Sequence, residues 1–391
     1  MQVVETESCK PGLRSHSLMG KVIMISIIIR QVKRFICKCK IFRTIIIVLA
    51  CIVLLMPISI VLLIYWFYAI IFDKRVLVIS SPTGNLGNRL FLFSNFIGFA
   101  AENNFEVHNP AFYKYATCFE STYNHFLCKY PSRRASMPKN NRVLGNVFLK
   151  LVYCASAVVQ ILPNNSLFHT IVLKNNDQRL NLDSASVLQM LCGKRIVFFR
   201  GWLFIDQTNI AKHAAKIRKY FIPQKKFKET IDSPIECLKI SCDLVFGIVV
   251  RQGDYKRWFD GKYFFSIDTY VQMMRQLKNL FPEKKVGFFI CSDAELDTQI
   301  FSGFQFVFRS KHDLENRYTL AQCDYILSAP STYGGWAAFY GHVPLCILSS
   351  ARQIISLAYF RIVNNHTDLR DPGFPPDTDI TDILIRNHTL R

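Results

Sequence analysis

Acidic residues are scarce in this chain of 391 residues: 28 Asp and Glu stand against 48 Lys and Arg, a formal net charge of +20. Such an excess invites a nucleic-acid partner, but there is no long Lys/Arg run to serve one. Residues 1–43 hold nine Lys/Arg and two Glu, and the rest of the excess is spread thinly over the remainder. Dispersed positive charge fits an acidic small molecule, such as a nucleotide diphosphate, at least as well. The sequence also lacks a Cys-x-x-Cys pair or any Cys/His spacing of a zinc site. No Gly-Lys-Ser/Thr follows its glycine-rich loop, which excludes a Walker phosphate loop. No internal repeat or low-complexity segment is present. With half of its residues apolar and 19% charged, the chain is neither disordered nor fibrous, and its length suits one membrane anchor plus two domain-sized units.

Charge is missing altogether from Thr44 to Phe72, a run of 29 residues. About 20 apolar residues cross a bilayer core, so this run predicts a single spanning helix at 44–72, with Pro57 a site for a kink. Tyr65, Trp66 and Tyr68 near its far end suit the membrane interface. A cleaved signal peptide does not fit, because the apolar block starts late and is too long. Arg30, Lys33, Arg34, Lys38, Lys40 and Arg43 precede the run, whereas only Lys74, Arg75 and Arg89 follow within a similar distance. Positive charge stays cytoplasmic, which predicts a cytoplasmic tail at 1–43 and a luminal region from residue 73 onward. Three glycosylation tripeptides, at Asn164, Asn365 and Asn387, lie on the luminal side. So do nine of the 13 cysteines, where disulfides can persist. Cys37 and Cys39, beside the run in the cytosol, are read as unmodified thiols.

Beyond the anchor, Val76–Ser80 reads as a buried strand, followed by a glycine-rich turn and an apolar helix from Leu90 to Ala101. Residues 105–195 read as a mixed, partly helical region, with a basic patch at Arg133, Arg134 and Lys139 and an apolar segment near 147–162. Ile196–Phe199 is another strand. From about residue 240 the pattern is clearer. Strands at 244–250, 286–290, 304–308, 325–327 and 344–348 alternate with helices at 267–280 and 313–323 and a short one opening at Trp336. Such alternation predicts a parallel sheet with helices on both faces, and ligands in these sheets bind beyond the carboxyl ends of the strands. The expected division is an N-terminal α/β unit at 73–240 and a C-terminal one at 241–391.

Polar residues stand where that rule asks for them. After Val250 comes Arg251-Gln-Gly-Asp-Tyr255; after Ile290 comes Cys291-Ser-Asp293; after Leu327 comes Ser328-Ala-Pro-Ser-Thr-Tyr-Gly-Gly-Trp336; and the first luminal strand delivers Gly84-Asn-Leu-Gly-Asn-Arg89. Arg251 is the residue that can grip a diphosphate with two parallel hydrogen bonds, which lysine cannot do; the alternative is an arginine held by Asp254. Ser331 and Thr332 precede a helix, where hydroxyls and free backbone N–H groups make either an anion site or an ordinary N-cap. Gly84 and Gly87 permit close backbone approach, and Asn88 is a donor to phosphate or sugar. Asp293 can accept from a guanine or ribose edge or cap the next helix. Asp377-Thr-Asp379 mimics an Asp-x-Asp metal site but falls in a proline-rich tail and reads as a solvated loop.

These four segments carry a resemblance. Gly84-Asn-Leu-Gly-Asn-Arg-Leu-Phe91 resembles the Gly-Gly-Leu-Gly-Asn-Gln-Met-Phe opening of the α-1,2-fucosyltransferase family. Val249-Val-Arg-Gln-Gly-Asp-Tyr255 resembles its His-x-Arg-Arg-Gly-Asp-Tyr segment, with Val249 at the His and Gln252 at the second Arg. Phe289-Ile-Cys-Ser-Asp293 is similar to its Phe-x-x-Ser-Asp strand end, and Ser328–Ala338 to its Ser-x-Ser-Thr-Phe-x-Trp-Trp-Ala-Ala block, with Gly335 at one Trp. The matches come in the family's order across residues 84–338. The resemblance implies a GT-B-like fold, two Rossmann-like units facing a cleft, with the nucleotide on the C-terminal one. It implies inverting, metal-independent transfer of fucose from GDP-fucose to a glycan hydroxyl, the 2-hydroxyl of galactose in that family, with no cofactor. Arg251 and Asp254 would be catalytic, and Asn88, Arg89, Asp293, Ser331, Thr332 and Trp336 would bind substrate. The implied setting is a Golgi membrane, with the chain a single-pass type II protein whose C-terminal region is luminal. Two other readings stay open at this point: a transferase using another nucleotide sugar or a protein acceptor, and a membrane-tethered glycan-binding or scaffold protein that keeps the fold without activity.

Overall fold

The computed structural model describes residues 24, 26–32, 40–123, 127–132, 142–163, 165–310, 312–369, 378–379 and 381. Asn164 and Asn387, the basic patch at Arg133, Arg134 and Lys139, and Cys37, Cys39 and Asp377 lie outside the described residues. Contacts divide the chain into Met1–Ile60 and Val61–Arg391. The charge-free run forms one helix, α1 (Lys40–Ile71), with Pro57 inside it. From Val61 one side of α1 is part of the second unit, because Val61, Tyr65 and Ala69, four residues apart, are buried there. Tyr65 and Tyr68 therefore do not stand free at a membrane interface. The Tyr65 ring packs on Phe198 and His108, and the Tyr68 hydroxyl donates to Glu106 at 2.6 Å.

Among the elements that build the second unit are β1 (Val76–Ile79), α2 (Leu86–Asn103), β2 (Glu106–His108), β3 (Lys129–Tyr130), α3 (Arg142–Ile161), β4 (Phe168–Val172), β5 (Gln178–Asn181), β6 (Ile196–Arg200) and β7 (Phe204–Ile205), followed by α4 (Lys228–Lys239), β8 (Leu244–Val250), α5 (Ile267–Asn279), β9 (Val286–Ser292), β10 (Gln305–Ser310), α6 (Asp313–Leu320), β11 (Tyr325–Ser328), α7 (Thr332–Gly341), β12 (Leu345–Ile347) and β13 (Thr378–Asp379). One five-stranded sheet runs β3-β2-β1-β6-β4, parallel except at its β3 edge. The other runs β10-β9-β8-β11-β12 and is parallel throughout. Strands covered on both faces read as continuous apolar runs, and β1, β8 and β9 do. The helix after β1 starts four residues earlier than the apolar pattern alone marks, at Leu86. It stops at Asn104, whose left-handed backbone caps it.

One apolar core joins the two sheets. Phe91 of α2 meets the Trp336 ring of α7 edge-on at 5.5 Å, and Phe221 meets the same ring at 5.2 Å. None of the nine cysteines from Cys118 to Cys346 is in a disulfide. A small third sheet, β13-β5-β7, fastens the C-terminal segment. Asp379 stands in β13 rather than in a loop, and though exposed its carboxylate accepts from Asn181 at 2.7 Å and Arg179 at 3.1 Å. Asn365 is buried and donates to Asn95 of α2 at 3.4 Å. A glycan on that amide has no place in this fold, because the nitrogen it would occupy points into protein.

Glu106 ties α1 to the first sheet. Burial pushes its carboxyl up, but bonds from His108 and Tyr68 and the nearby Lys129 outweigh burial and hold it down at about 2. A carboxyl depressed in the folded state stabilises fully above its unfolded pKa of about 4.3, and that contribution is lost as pH falls toward 2. Thermal melts of the full chain between pH 5 and pH 3 should therefore show a larger fall in Tm for the wild type than for Glu106→Gln. Equal falls would mean that this carboxyl does not couple folding to pH.

Candidate active site

A cavity of about 770 Å3 opens at the carboxyl ends of β1, β8, β9 and β11, where the four polar loops of the sequence converge. Asn88, Arg251, Asp254, Asp293, Ser331 and Thr332 all line it. Arg89 and Trp336, expected there too, do not. Arg89 is one residue past Asn88 on α2, a rotation of about 100° that points it elsewhere. Its guanidinium donates to Ala111 O at 2.7 Å and Gly84 O at 3.1 Å, and burial lowers its pKa. Trp336 lies one turn into α7 and is wholly buried in the core.

Two glycines shape the first wall. Gly84 has φ +55°, and a Cβ there would lie 2.2 Å from Asn88 Nδ2, so the turn needs glycine on both counts. A Cβ on Gly87 would come within 2.7 Å of Thr332 O and Oγ1 and 2.8 Å of Arg317 Nη1. Its absence lets α2 abut the first turn of α7. There the Thr332 hydroxyl donates to Asn88 Oδ1 at 2.6 Å, joining residues 244 positions apart. Ser331 is the N-cap of α7, accepting from Gly334 N at 3.1 Å.

Arg251 forms the opposite wall. Its largely buried guanidinium donates through Nη2 to Asp254 Oδ1 at 2.7 Å, and Nε lies 3.3 Å from Asp293 Oδ2. The Tyr255 ring sits 4.8 Å beneath it. Burial works most strongly against its charge, yet Asp293, Tyr255 and Asp254 together hold its pKa above the ordinary guanidinium value. Asp293 Oδ1 also accepts from Gln252 N at 2.8 Å and Gly253 N at 3.2 Å. This carboxylate thus holds the β8 loop and Arg251 together. Asp254 is exposed at the rim. Gln252 turns its amide to the carbonyls of Arg251 and Phe265, and Val249 lines the cavity with its apolar side chain.

Sequence reasoning missed Arg317. On α6 it looks like a surface ion pair with Asp313, four residues earlier. In the fold it is almost wholly buried, donating to Asp313 at 2.6 Å and to the carbonyls of Thr332 at 3.1 Å and Tyr333 at 3.3 Å. The signal was the missing side chain at Gly87, which leaves room for it. Asn316, also buried, lines the cavity beside it, and its Oδ1 has no partner among the described residues. Cys291 lines the cavity too, its thiol pushed up to about 12 by burial.

The site presents guanidinium, hydroxyl, amide and helix N-terminal donors across one opening, a set suited to an anion with several oxygens. Because Gly87 fixes how the walls meet, Gly87→Ala should lower stability by about 1–3 kcal/mol in denaturant titration, the usual effect of overpacking. A change below about 0.5 kcal/mol would show that α2 and α7 can separate freely.

No protein-family model and no curated protein sequence matches the chain. Several solved structures are similar to it. A mutant of Arabidopsis thaliana FUT1 in complex with GDP is 15% identical over 70% of each chain, with a TM-score of 0.45. POFUT1 in complex with GDP-fucose is 9% identical over 68% of this chain and 94% of its own, with a TM-score of 0.43. The fucosyltransferase NodZ from Bradyrhizobium is 12% identical over 70% of this chain and 96% of its own, with a TM-score of 0.39.

Proposed function

We propose that this chain is a membrane-anchored glycosyltransferase that moves fucose from GDP-fucose to a glycan hydroxyl, with inversion and without a metal ion or cofactor. The observation that carries the reading is Arg251, charged, largely buried and held in a cavity at the strand ends, facing the Asn88–Thr332 wall. The motif resemblance supplies the identity of the donor. The acceptor is proposed to be the 2-hydroxyl of a galactose-ending glycan, and the setting a Golgi membrane with the body in the lumen.

The reaction asks little covalent chemistry of the protein. The acceptor oxygen bonds to the anomeric carbon from one face while the carbon–oxygen bond to the diphosphate breaks on the other, and GDP leaves with that electron pair. Charge grows on the leaving oxygens, and preorganised donors are worth most where charge grows. Arg251 gives paired N–H donors, and the backbone N–H groups at the N-terminal turn of α7 give a second set. Asp254 is the carboxylate we assign to the acceptor's proton. Its bond to Arg251 gives it a second duty, to keep the guanidinium aimed.

GDP release by the full chain, given GDP-fucose and galactose-ending glycans with EDTA present, tests the proposal. Arg251→Ala should reduce turnover by about a hundredfold or more, and Arg251→Lys should recover little of it, since an ammonium cannot make the paired contact. No release and no stabilisation by GDP would overturn the reading and favour a non-catalytic glycan binder. Asp254→Asn separates the two duties: a fall in kcat at unchanged GDP affinity supports the base, whereas weaker GDP binding assigns Asp254 to orientation alone.

A further inference from the structure

Backbone strain collects in the loop that follows Arg251. Phe259 has φ +48°, Asp260 +52° and Gly261 +78°, three left-handed residues in succession. Glycine takes that conformation freely, but a bulky phenylalanine there is an outlier. Residues held in this way are kept by their surroundings, and they cluster at active sites and ligand clamps. The turn is closed by Lys262 N, which donates to Phe259 O at 3.0 Å, and by Phe264 N, which donates to Gly261 O at 2.9 Å.

What this turn holds in place is Trp258. Phe259 meets its indole edge-on at 4.8 Å, Tyr255 lies at 4.7 Å and Tyr263 at 5.6 Å. Tyr255 and Tyr263 are buried, so those two rings are fixed supports. Trp258 itself is only half-buried, and it lines the cavity. A tryptophan that serves the core needs no such turn: Trp336 is wholly buried on the regular helix α7. The Tyr255 ring touches both the Arg251 guanidinium, at 4.8 Å, and the indole. The indole therefore stands one ring away from the guanidinium that faces the diphosphate in the proposed reaction. Asp254 precedes it on the same loop, in the turn Asp254–Lys256 that leads into Trp258–Gly261. A sugar that offers a hydroxyl to Asp254 lies over this loop, and the indole is the broad apolar surface that the loop presents to the cavity. A galactose ring, with one axial hydroxyl, lines its opposite face with C–H bonds. Those carry slight positive charge, and the face of an aromatic ring is negative.

We propose that Trp258 is the platform for the acceptor sugar: the C–H face of a terminal galactose stacks on the indole, and the strained turn at Phe259–Gly261 sets the indole before the sugar arrives. This rests on the fucosyl-transfer reading above and deepens it by naming what holds the acceptor. The strain is then the cost of preorganisation, which a binding surface recovers when the sugar docks.

The full chain with GDP bound is titrated with lactose while indole fluorescence is followed. Lactose is then varied as acceptor at saturating GDP-fucose, with GDP release as the readout. Trp258→Leu keeps apolar bulk and removes the aromatic face. It should raise the KM for lactose about tenfold, with most of the effect in KM rather than kcat, and leave the Kd for GDP as in the wild type. The fluorescence change on lactose should vanish in the same variant, and Trp258→Phe should recover most of the KM. Phe259→Gly suits φ +48° and should raise the KM about threefold at unchanged Tm, because the indole loses its brace. Wild-type KM values in both Trp258→Leu and Phe259→Gly would overturn the platform and leave the transferase standing. A weakened Kd for GDP in Trp258→Leu, with the KM for lactose unchanged, would give the indole to the donor and overturn the proposal. A lactose signal that depends on Trp258, in a wild type that releases no GDP, would sink the fucosyl-transfer reading and keep the galactose platform.

Discussion

The contact between Gly87 and the first turn of α7 sets how closely the two sheet-bearing halves approach, and the geometry of the cavity follows from it. Each half brings a strand end and a helix N-terminus, and neither wall alone makes an enclosed site. At Gly87 the backbones can come together because no Cβ intervenes, and the Thr332–Asn88 hydrogen bond fixes their register. The bond joins side chains, so it is directional, whereas the core around Phe91 and Trp336 supplies the non-directional share of the adhesion. A cavity framed in this way is preorganised, since its donors need no rearrangement when a ligand arrives.

Two guanidinium groups line this cavity and do different work. Arg317 is tied to one carboxylate and two backbone carbonyls, which makes it part of the scaffold under α7. Arg251 has carboxylates on two sides and an aromatic ring below, yet a guanidinium carries five N–H donors and these contacts leave some for a ligand. Asp293 explains how such a charge stays aimed when largely buried. It binds Arg251 and two backbone N–H groups of the same loop, so loop and side chain are positioned together. Losing the partner of a buried charge is strongly destabilising, so Asp293 answers to Arg251 before it can answer to a ligand.

The periodicity of the C-terminal half placed the strands ending at Val250, Leu327 and near Ser292, and the rule that ligands gather at strand ends placed the cavity. Those are local signals, carried by β-branched runs and the polar residues after them. What was not legible depended on direction. Asn88 and Arg89 are adjacent in one motif, but a helix turns about 100° per residue and sends them to different surroundings. Trp336 shares a motif with Thr332, yet it stands a full turn deeper and fills the core. Arg317 carried no signal on its own helix, because an Asp and an Arg four apart describe a solvent-facing helix; the only hint lay far away in the sequence, in the missing side chain at Gly87. Residues 105–195 were opaque for a related reason: β2, β4 and β5 are three to five residues long and are held by pairing across the sheet, which sequence order does not display. The glycosylation tripeptide at Asn365 marks a chemical option that burial withdraws.

The charge-free helix α1 illustrates how one segment can carry two signals at once. A run without charge reads as a membrane span whatever its far end touches, because apolarity suits lipid and protein cores alike. Spacing separates the two. Val61, Tyr65 and Ala69 recur every four residues, a stripe one residue wide, which is how a helix docks on a flat partner rather than how it sits in uniform solvent. Glu106 then takes a bond from Tyr68 at the edge of that stripe. The depressed carboxyl of Glu106 therefore sits where the helix meets the sheet, and the ionised group that accepts from Tyr68 is the one whose loss on acidification would loosen that join.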